Sequence, residues 1–371
     1  MTTAARAAVC RSPESPMAIE AVTIEDPREG EVLVRIVGVG VCHTDMAMKS
    51  QQLPVPQPVV LGHEGSGIVE KVGPGVTGLA PGDPVVLSFN SCGHCPNCDD
   101  HAPAYCYAFG LYNFAAIRPD GSTPLSGEGG PIHANVFGQS SFATHAIAHA
   151  RNTVKVPEHA RDVPLELLGP LGCGIQTGAG AVLNSMKVRP GSSIAVFGAG
   201  AVGMSAIMAA RIAGATTIIA VDLNADRRKL ALELGATHEV AGDGDVAAAI
   251  RAICPDGLVY AFDTTGIARV IEMAFDLLAV RGTLGLVGAS DADAVLTLNE
   301  TALMGGGRTI RGILEGDSEP QTFIPELIDH YRAGRFPFDR LVDYFDFSQI
   351  NEAFHASESG RVIKPVLRMP D

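Results

Sequence analysis

The chain contains no low-complexity tract, no block of like charges and no internal repeat, which excludes fibrous, solenoid and disordered classes. Positive charge is scarce. Against 41 Asp and Glu stand 27 Lys and Arg, giving a formal net charge of -14 and a pI near 5.2. That balance repels phosphate backbones and anionic membranes, so neither nucleic acid nor membrane is an expected partner. Met1 to Ala8 lacks the charged and apolar blocks of a secretion signal. The longest apolar run, Ile194 to Ala210, contains Gly198, Gly200 and Gly203 and reads as strand, turn and helix, not as a bilayer span. A cytoplasmic location is the expectation. Eight cysteines in 371 residues do not make a disulfide framework, and in a reducing compartment clustered cysteines point to metal.

What is present suits two domains: 371 residues with 46% hydrophobic content, and Gly and Pro scattered in short turns. From Gly30 to about Lys155 short apolar runs alternate with Gly, Pro and Asp. Examples are Glu31–Val39, Gly67–Val72, Asp83–Ser88 and Phe142–Ile147. This texture predicts an irregular, mostly antiparallel β-domain. After Pro164 strand-like and helix-like segments alternate: Ser193–Gly198, Ala201–Ala213, Thr217–Asp222, Ala225–Leu234, Leu258–Asp263, Ala268–Leu278 and Gly282–Gly288. Such alternation predicts right-handed βαβ units around a parallel sheet. Helices are expected at Phe323–Ala333 and Ser348–Ser357, with a last strand at Val362–Met369.

Gly198-Ala-Gly200-Ala-Val202-Gly203 follows the apolar run Ile194–Phe197 and opens an alanine-rich helix. Gly198 permits the tight turn, Gly200 lets backbone approach a pyrophosphate, and Gly203 allows close helix–strand packing. The helix N-terminus offers unpaired N–H groups and partial positive charge to phosphate. A second strand ends on Asp222, 19 residues after Gly203. A carboxylate there accepts both ribose hydroxyls of NAD and repels the 2′-phosphate of NADP, although Arg227 and Arg228 follow closely. NAD is the expected cofactor. A doubly wound domain without dinucleotide is the bland alternative.

Cys92, Cys95, Cys98 and Cys106 give C-x2-C-x2-C-x7-C. Four thiolates at this spacing can enclose one tetrahedral zinc with no open position, which is a structural site. His94 lies between them but four cysteines fill the shell without it. An iron–sulfur cluster would want the x3-C-P ending, which is absent. A nucleic-acid-binding zinc ribbon conflicts with the acidic chain. Cys42, His63 and Cys173 remain, and spacing alone does not join them. A lone His or Cys is most often a packed core residue.

Gly40-Val-Cys-His-Thr-Asp45, Gly62-His-Glu-Gly65, the four-cysteine lobe, Gly172-Cys-Gly174, the glycine turn with Asp222, and Ser359–Lys364 occur in this order. Together they resemble the zinc-containing medium-chain alcohol dehydrogenases over essentially the whole chain. Gly138–Thr144 and Pro170–Gly180 look closest to the benzyl (aryl) and allylic alcohol branch. The resemblance implies an α/β protein with a GroES-like β-rich catalytic domain (1–172 and 314–371, with a zinc lobe at about 90–108) and a Rossmann doubly wound parallel-sheet domain (173–313). It also implies two zinc ions per chain and catalytic ligands Cys42, His63 and Cys173. Glu64 falls at an acid near the metal, and Asp45 at a carboxylate that orients His63. Thr44 matches the hydroxyl that takes the alcohol proton. Arg227 would lie near the adenosine ribose, Val202 in the glycine turn and Val287 near the nicotinamide. Phe89, Val136 and Phe137 are the expected pocket walls. A homodimer or homotetramer assembled through the cofactor domain is implied.

Three positions depart from the family pattern. Ala47 stands where a histidine often ends the proton relay, so the proton must leave through Thr44, the cofactor ribose and water, or by another group. His43 and Lys364 stand where arginines commonly meet the pyrophosphate, which predicts weaker, pH-dependent cofactor affinity. The expected reaction is reversible oxidation of a primary aromatic or allylic alcohol to its aldehyde. The alternatives are an aliphatic alcohol or glutathione–formaldehyde adduct as substrate, and a non-catalytic zinc- and NAD-binding sensor.

Overall fold

The computed structural model describes residues 2–290 and 293–370. The chain forms two compact units, one of residues 1–174, 319–332 and 338–371, the other of 175–318 and 333–337.

The first unit is built on two β-sheets. In the smaller, Thr2–Cys10 and Ala18–Glu25 pair antiparallel, and Val59–Val60, Leu125–Gly127 and Gly130–Ile132 extend the edges. In the larger, Glu31–Gly40 is central, pairing antiparallel with Gly65–Val72, His145–His149 and Lys364–Arg368. That centrality follows from composition. Glu31–Gly40 carries Val32, Leu33, Val34, Ile36 and Val39, all buried, so both faces of the strand must be covered. The strand expected at Phe142–Ile147 begins later, at His145, because Phe142 and Ala143 are held by backbone contacts to Leu61 and Ala7 outside the ladder.

The second unit carries one parallel sheet of six strands in the order His238–Ala241, Thr217–Asp222, Ser193–Phe197, Leu258–Asp263, Leu278–Leu286, Thr309–Gly312. Numbered along the chain this order is 3-2-1-4-5-6, the doubly wound dinucleotide-binding arrangement, whose crevice opens at the carboxyl ends of the strands. Thr217–Asp222, Ala225–Leu234 and Leu258–Asp263 occupy the segments the alternating pattern predicts. Asn224 caps the helix Ala225–Leu234 through its side-chain oxygen, which accepts from the N–H groups of Asp226 and Arg227. The fifth strand starts at Leu278, four residues before the expected Gly282, since the preceding helix stops at Asp276 and Leu277 already turns the chain.

Candidate functional site

The four-cysteine lobe is local. Its thiols lie within 4.8 Å of one another, with Cys95 Sγ 3.5 Å and Cys92 Sγ 3.9 Å from Cys98 Sγ. The backbone N–H of Cys92 donates to Cys106 Sγ at 3.2 Å. The Tyr107 N–H, ahead of other causes, brings the Cys95 thiol down to about 6. Burial pushes Cys106 up to about 12, the state a thiol takes before a cation compensates it. His94 stays outside the group, with Nδ1 2.9 Å from the Cys92 carbonyl. Four sulfur donors with no fifth position suit a closed tetrahedral zinc site.

The second group joins Cys42, His63, Glu64 and Cys173, whose ligand atoms also lie within 4.8 Å of each other. Asp45 assembles it. One carboxylate oxygen lies 2.9 Å from His63 Nδ1 and accepts the Gly62 N–H at 3.0 Å, while the other accepts the Cys42 N–H at 3.1 Å. Because Cys42 caps the short helix His43–Lys49 and Asp45 is its third residue, a capping box orients one ligand and the same carboxylate orients the next. With Nδ1 on Asp45, His63 presents Nε2, which is buried and has no hydrogen-bond partner. An orphaned imidazole nitrogen beside two thiols is costly unless a metal takes its lone pair. With both Glu64 oxygens engaged by Lys364 Nζ, one nitrogen and two sulfur donors remain, which suit zinc with an open fourth position.

The titrating groups here shift one another strongly: against burial, Asp45 and the Cys42 thiol raise His63 well above its ordinary range. The hydrogen bond from Cys173 holds the Cys42 thiol well below its ordinary range against burial, helped by Lys364 and His63. Burial pushes Glu64 up to about 7, and Lys364 opposes it. The main chain around Glu64 is held on both sides. Gln139 Nε2 donates to the His63 carbonyl at 2.9 Å, and Gln139 Oε1 accepts the Gly65 N–H at 3.1 Å. Gly40 makes room for the acid, because a Cβ there would collide with Glu64 Oε2.

Around this group the structure places Thr44 with Oγ1 3.8 Å from Cys42 Sγ. Phe137 stacks on His63, ring centroids 4.4 Å apart and planes at 27°. Phe114 and Phe109 meet Phe137 edge-on at 5.4 and 6.5 Å, and Phe89 lies 5.9 Å from Phe109. Phe89, Val136 and Phe137 are all buried. Phe137 sits at φ 51°, a left-handed conformation that costs a bulky residue about 1–3 kcal/mol. Asn152 Nδ2, donating to the Phe137 carbonyl at 3.2 Å, helps to hold it there.

In the second unit the glycine turn has the geometry its sequence requires. Gly198 has φ 95°, and a Cβ there would collide with Thr264 Oγ1; a Cβ on Gly203 would collide with the Gly198 carbonyl. A Cβ on Gly200 would meet nothing within 4 Å. Asp222 ends its strand beside this turn, one oxygen accepting the Ala199 N–H at 2.7 Å and the other the Asn224 N–H at 2.8 Å. Val202 and Arg227 are half-buried on the helices Ala201–Ile212 and Ala225–Leu234, and the Val287 N–H donates to the Asp263 carbonyl at 3.1 Å. Arg228 is committed to backbone, donating to the carbonyls of Asp222 and Leu223. In the first unit His43 is exposed, whereas Lys364 is buried with Nζ donating to Glu64 and to the Val41 carbonyl. Sequence reasoning missed Gln139, Asn152, Phe109, Phe114 and the partner of Lys364. No local spacing marks them, since each acts across the fold.

Residues 28–158 match the family described as the alcohol dehydrogenase GroES-like domain, and residues 201–331 match zinc-binding dehydrogenase. Geraniol dehydrogenase of Castellaniella defragrans is 52% identical over 366 residues, 98% of this chain and 97% of that one. The crystal structure of an alcohol dehydrogenase zinc-binding domain protein from Burkholderia ambifaria superposes with a TM-score of 0.98 at 54% identity, covering 100% of both chains. Benzyl alcohol dehydrogenase from Acinetobacter calcoaceticus does so with a TM-score of 0.96 at 44% identity, over 99% of this chain and 100% of that one.

Proposed function

This chain belongs to the family of zinc-binding alcohol dehydrogenases, and from that premise we propose that it oxidises primary aromatic or allylic alcohols to aldehydes, reversibly, with NAD as hydride acceptor. The observation that carries the catalytic part is the convergence of Cys42, His63 and Cys173, with His63 Nε2 orphaned among sulfur donors. When bound, zinc supplies Lewis acidity at the alcohol oxygen and the nicotinamide supplies the hydride acceptor. The residues do the rest. Asp45 fixes the tautomer of His63, so that Nε2 and not Nδ1 is the free nitrogen. Thr44, beside Cys42, takes the alcohol proton. Ala47, one turn on, bears no group that could pass it further.

Cys92, Cys95, Cys98 and Cys106 hold the second, structural zinc in this reading. Gly198, Gly200, Val202 and Gly203 cradle the dinucleotide phosphates, and Asp222 takes the adenosine ribose. Arg228 is tied to backbone carbonyls, which supports NAD over NADP, because it is not poised for a 2′-phosphate. Arg227 and Val287 complete the cofactor set in the second unit and His43 is the candidate from the first; Lys364 is tied to Glu64. The first unit, expected at 1–172 and 314–371, is the catalytic domain and extends to Gly174, so that it contains Cys173; the second, expected at 173–313, is the cofactor domain and runs from Ile175 to Ser318 with 333–337 added.

The aryl or allylic preference is supported by two relatives, one named for geraniol and one for benzyl alcohol, and by the aromatic cluster that reaches His63 through Phe137. Flat, polarisable rings favour flat substrates by face and edge contact. We also propose a cytoplasmic homo-oligomer, dimer or tetramer. Val280, Val295 and Met304 in the second unit are 75%, 76% and 68% exposed, apolar side chains of the kind that assembly covers. No helix among the described residues is long and apolar enough to cross a membrane.

The test is a kinetic panel of benzyl alcohol, geraniol, ethanol and hydroxymethylglutathione, each with NAD and NADP, on protein assayed for metal. The expected result is two zincs per chain and the highest kcat/KM with NAD and an aryl or allylic alcohol. A highest kcat/KM for ethanol would overturn the substrate assignment, and no turnover by zinc-loaded protein would overturn the enzyme.

A further inference from the structure

We propose that Phe137 is a positioning residue for the metal ligand His63, its ring fixing the tilt of the imidazole and therefore the direction of Nε2. The inference rests on the reading of His63 as a zinc ligand and goes beyond it.

The argument begins with what Asp45 leaves undetermined. A histidine ring turns about χ2 in a broad well, not in narrow staggered minima. The contact of Nδ1 with Asp45 at 2.9 Å selects the tautomer, but hydrogen bonds at a carboxylate oxygen tolerate a wide range of ring tilts. A second contact on the ring face is needed to set the plane. Phe137 provides it at 4.4 Å and 27°, near parallel.

The backbone shows that this contact is built. Phe137 is a bulky residue at positive φ, next to Gly138 at φ 65°, and the pair is held by Asn152 Nδ2 donating to both their carbonyls, at 3.2 and 3.4 Å. Ser140 Oγ accepts the N–H groups of Asn135 and Val136 just before it, at 2.8 and 2.9 Å. A strained, heavily braced segment is the signature of a side chain that must point one way. Behind it Phe114 and Phe109 meet Phe137 edge-on at 80° and 87°, filling space that a leucine of similar bulk can also fill. Among the described residues no ring other than Phe137 stacks on His63. Phe114 belongs to the same cluster and does not touch the histidine in this way.

The experiment compares Phe137→Leu with Phe114→Leu in the zinc-loaded enzyme. Zinc release to a colorimetric chelator is followed, and the visible spectrum of the cobalt-substituted protein is recorded. The four-cysteine lobe is the internal control, since its ligands form a group separate from Cys42, His63 and Cys173. Phe137→Leu should speed release of one zinc about three- to tenfold, leave the other unchanged, and shift the cobalt bands. Phe114→Leu should leave both release rates and the bands within twofold of the parent. Equal effects of the two substitutions, or parent-like behaviour of Phe137→Leu, would overturn the proposal. So would faster release of both zincs, which is general loosening. The underlying reading is checked separately: Cys42→Ser must remove one zinc of two, and if it does not, the ligand assignment fails whatever Phe137 does.

Discussion

Lys364 Nζ lies 2.9 and 3.0 Å from the two carboxylate oxygens of Glu64, three hundred residues earlier, with both side chains buried. The lysine is raised above its ordinary range by this carboxylate and by the thiols of Cys42 and Cys173, although burial works the other way. A buried pair of this kind adds little net stability, but removing one partner strands the other. Lys364→Met should therefore destabilise the protein by roughly 3–5 kcal/mol, and adding Glu64→Gln should recover part of that loss. Thermal melting of the two single variants and the double variant decides it. Additive losses would mean that the pair is not coupled.

Asp45 holds His63, Cys42 and Gly62 with one carboxylate. Replacement by Asn keeps the size but removes the charge that orients the imidazole. Zinc affinity at this site should fall about 10- to 100-fold, with kcat falling alongside, while the four-cysteine zinc stays bound. Competition with a chelator of known affinity reads this directly. Undiminished affinity would show that the carboxylate is dispensable.

The three glycines of the turn separate folding from binding. Gly203→Ala drives a Cβ into the Gly198 carbonyl, so it should lower Tm. Gly200→Ala has open space around it and should leave Tm within about 2 °C. It should still weaken NAD binding, since the methyl occupies the pyrophosphate approach. Calorimetric titration with NAD alongside melting tests both halves.

His149 supplies a pH dependence. Burial, with help from Arg151, lowers it from 6.5 to about 4, and its Nδ1 accepts the Arg151 N–H at 3.0 Å. The unfolded chain therefore binds a proton more readily than the folded one. Stability from this group is present above about pH 6.5 and is lost as pH falls through 4. His149→Asn keeps an acceptor for the Arg151 N–H but cannot titrate, so its Tm should fall less between pH 7 and pH 4 than the parent's. Parallel pH profiles would assign the acid sensitivity elsewhere.

Local information made much of this molecule legible. The parallel sheet could be read because Thr217–Asp222 and Leu258–Asp263 are short apolar strands bounded by turn and cap residues. The cysteine lobe could be read because its four ligands fall within 15 consecutive positions. Cys42, His63 and Cys173 could not be joined by spacing, and resemblance alone brought them together before the sheet of Glu31–Gly40 and Gly65–Val72 did so in space. Lys364 was expected at the cofactor, yet it reaches Glu64 because Lys364–Arg368 pairs with the strand ending at Gly40. No pattern in the sequence announces that pairing. The stacking of Phe137 was equally hidden, since it depends on a left-handed residue that sequence does not mark.

The two candidate metal-binding groups differ in how much of the polypeptide must exist before they can form. Ligands of the four-cysteine lobe emerge together, and closing so short a loop is entropically cheap. The Cys42 group waits for Cys173, and Glu64 waits for Lys364, three hundred residues later, before its charge is balanced. During synthesis the lobe can thus gather its four thiols early. The Cys42 group is completed only when distant strands have met.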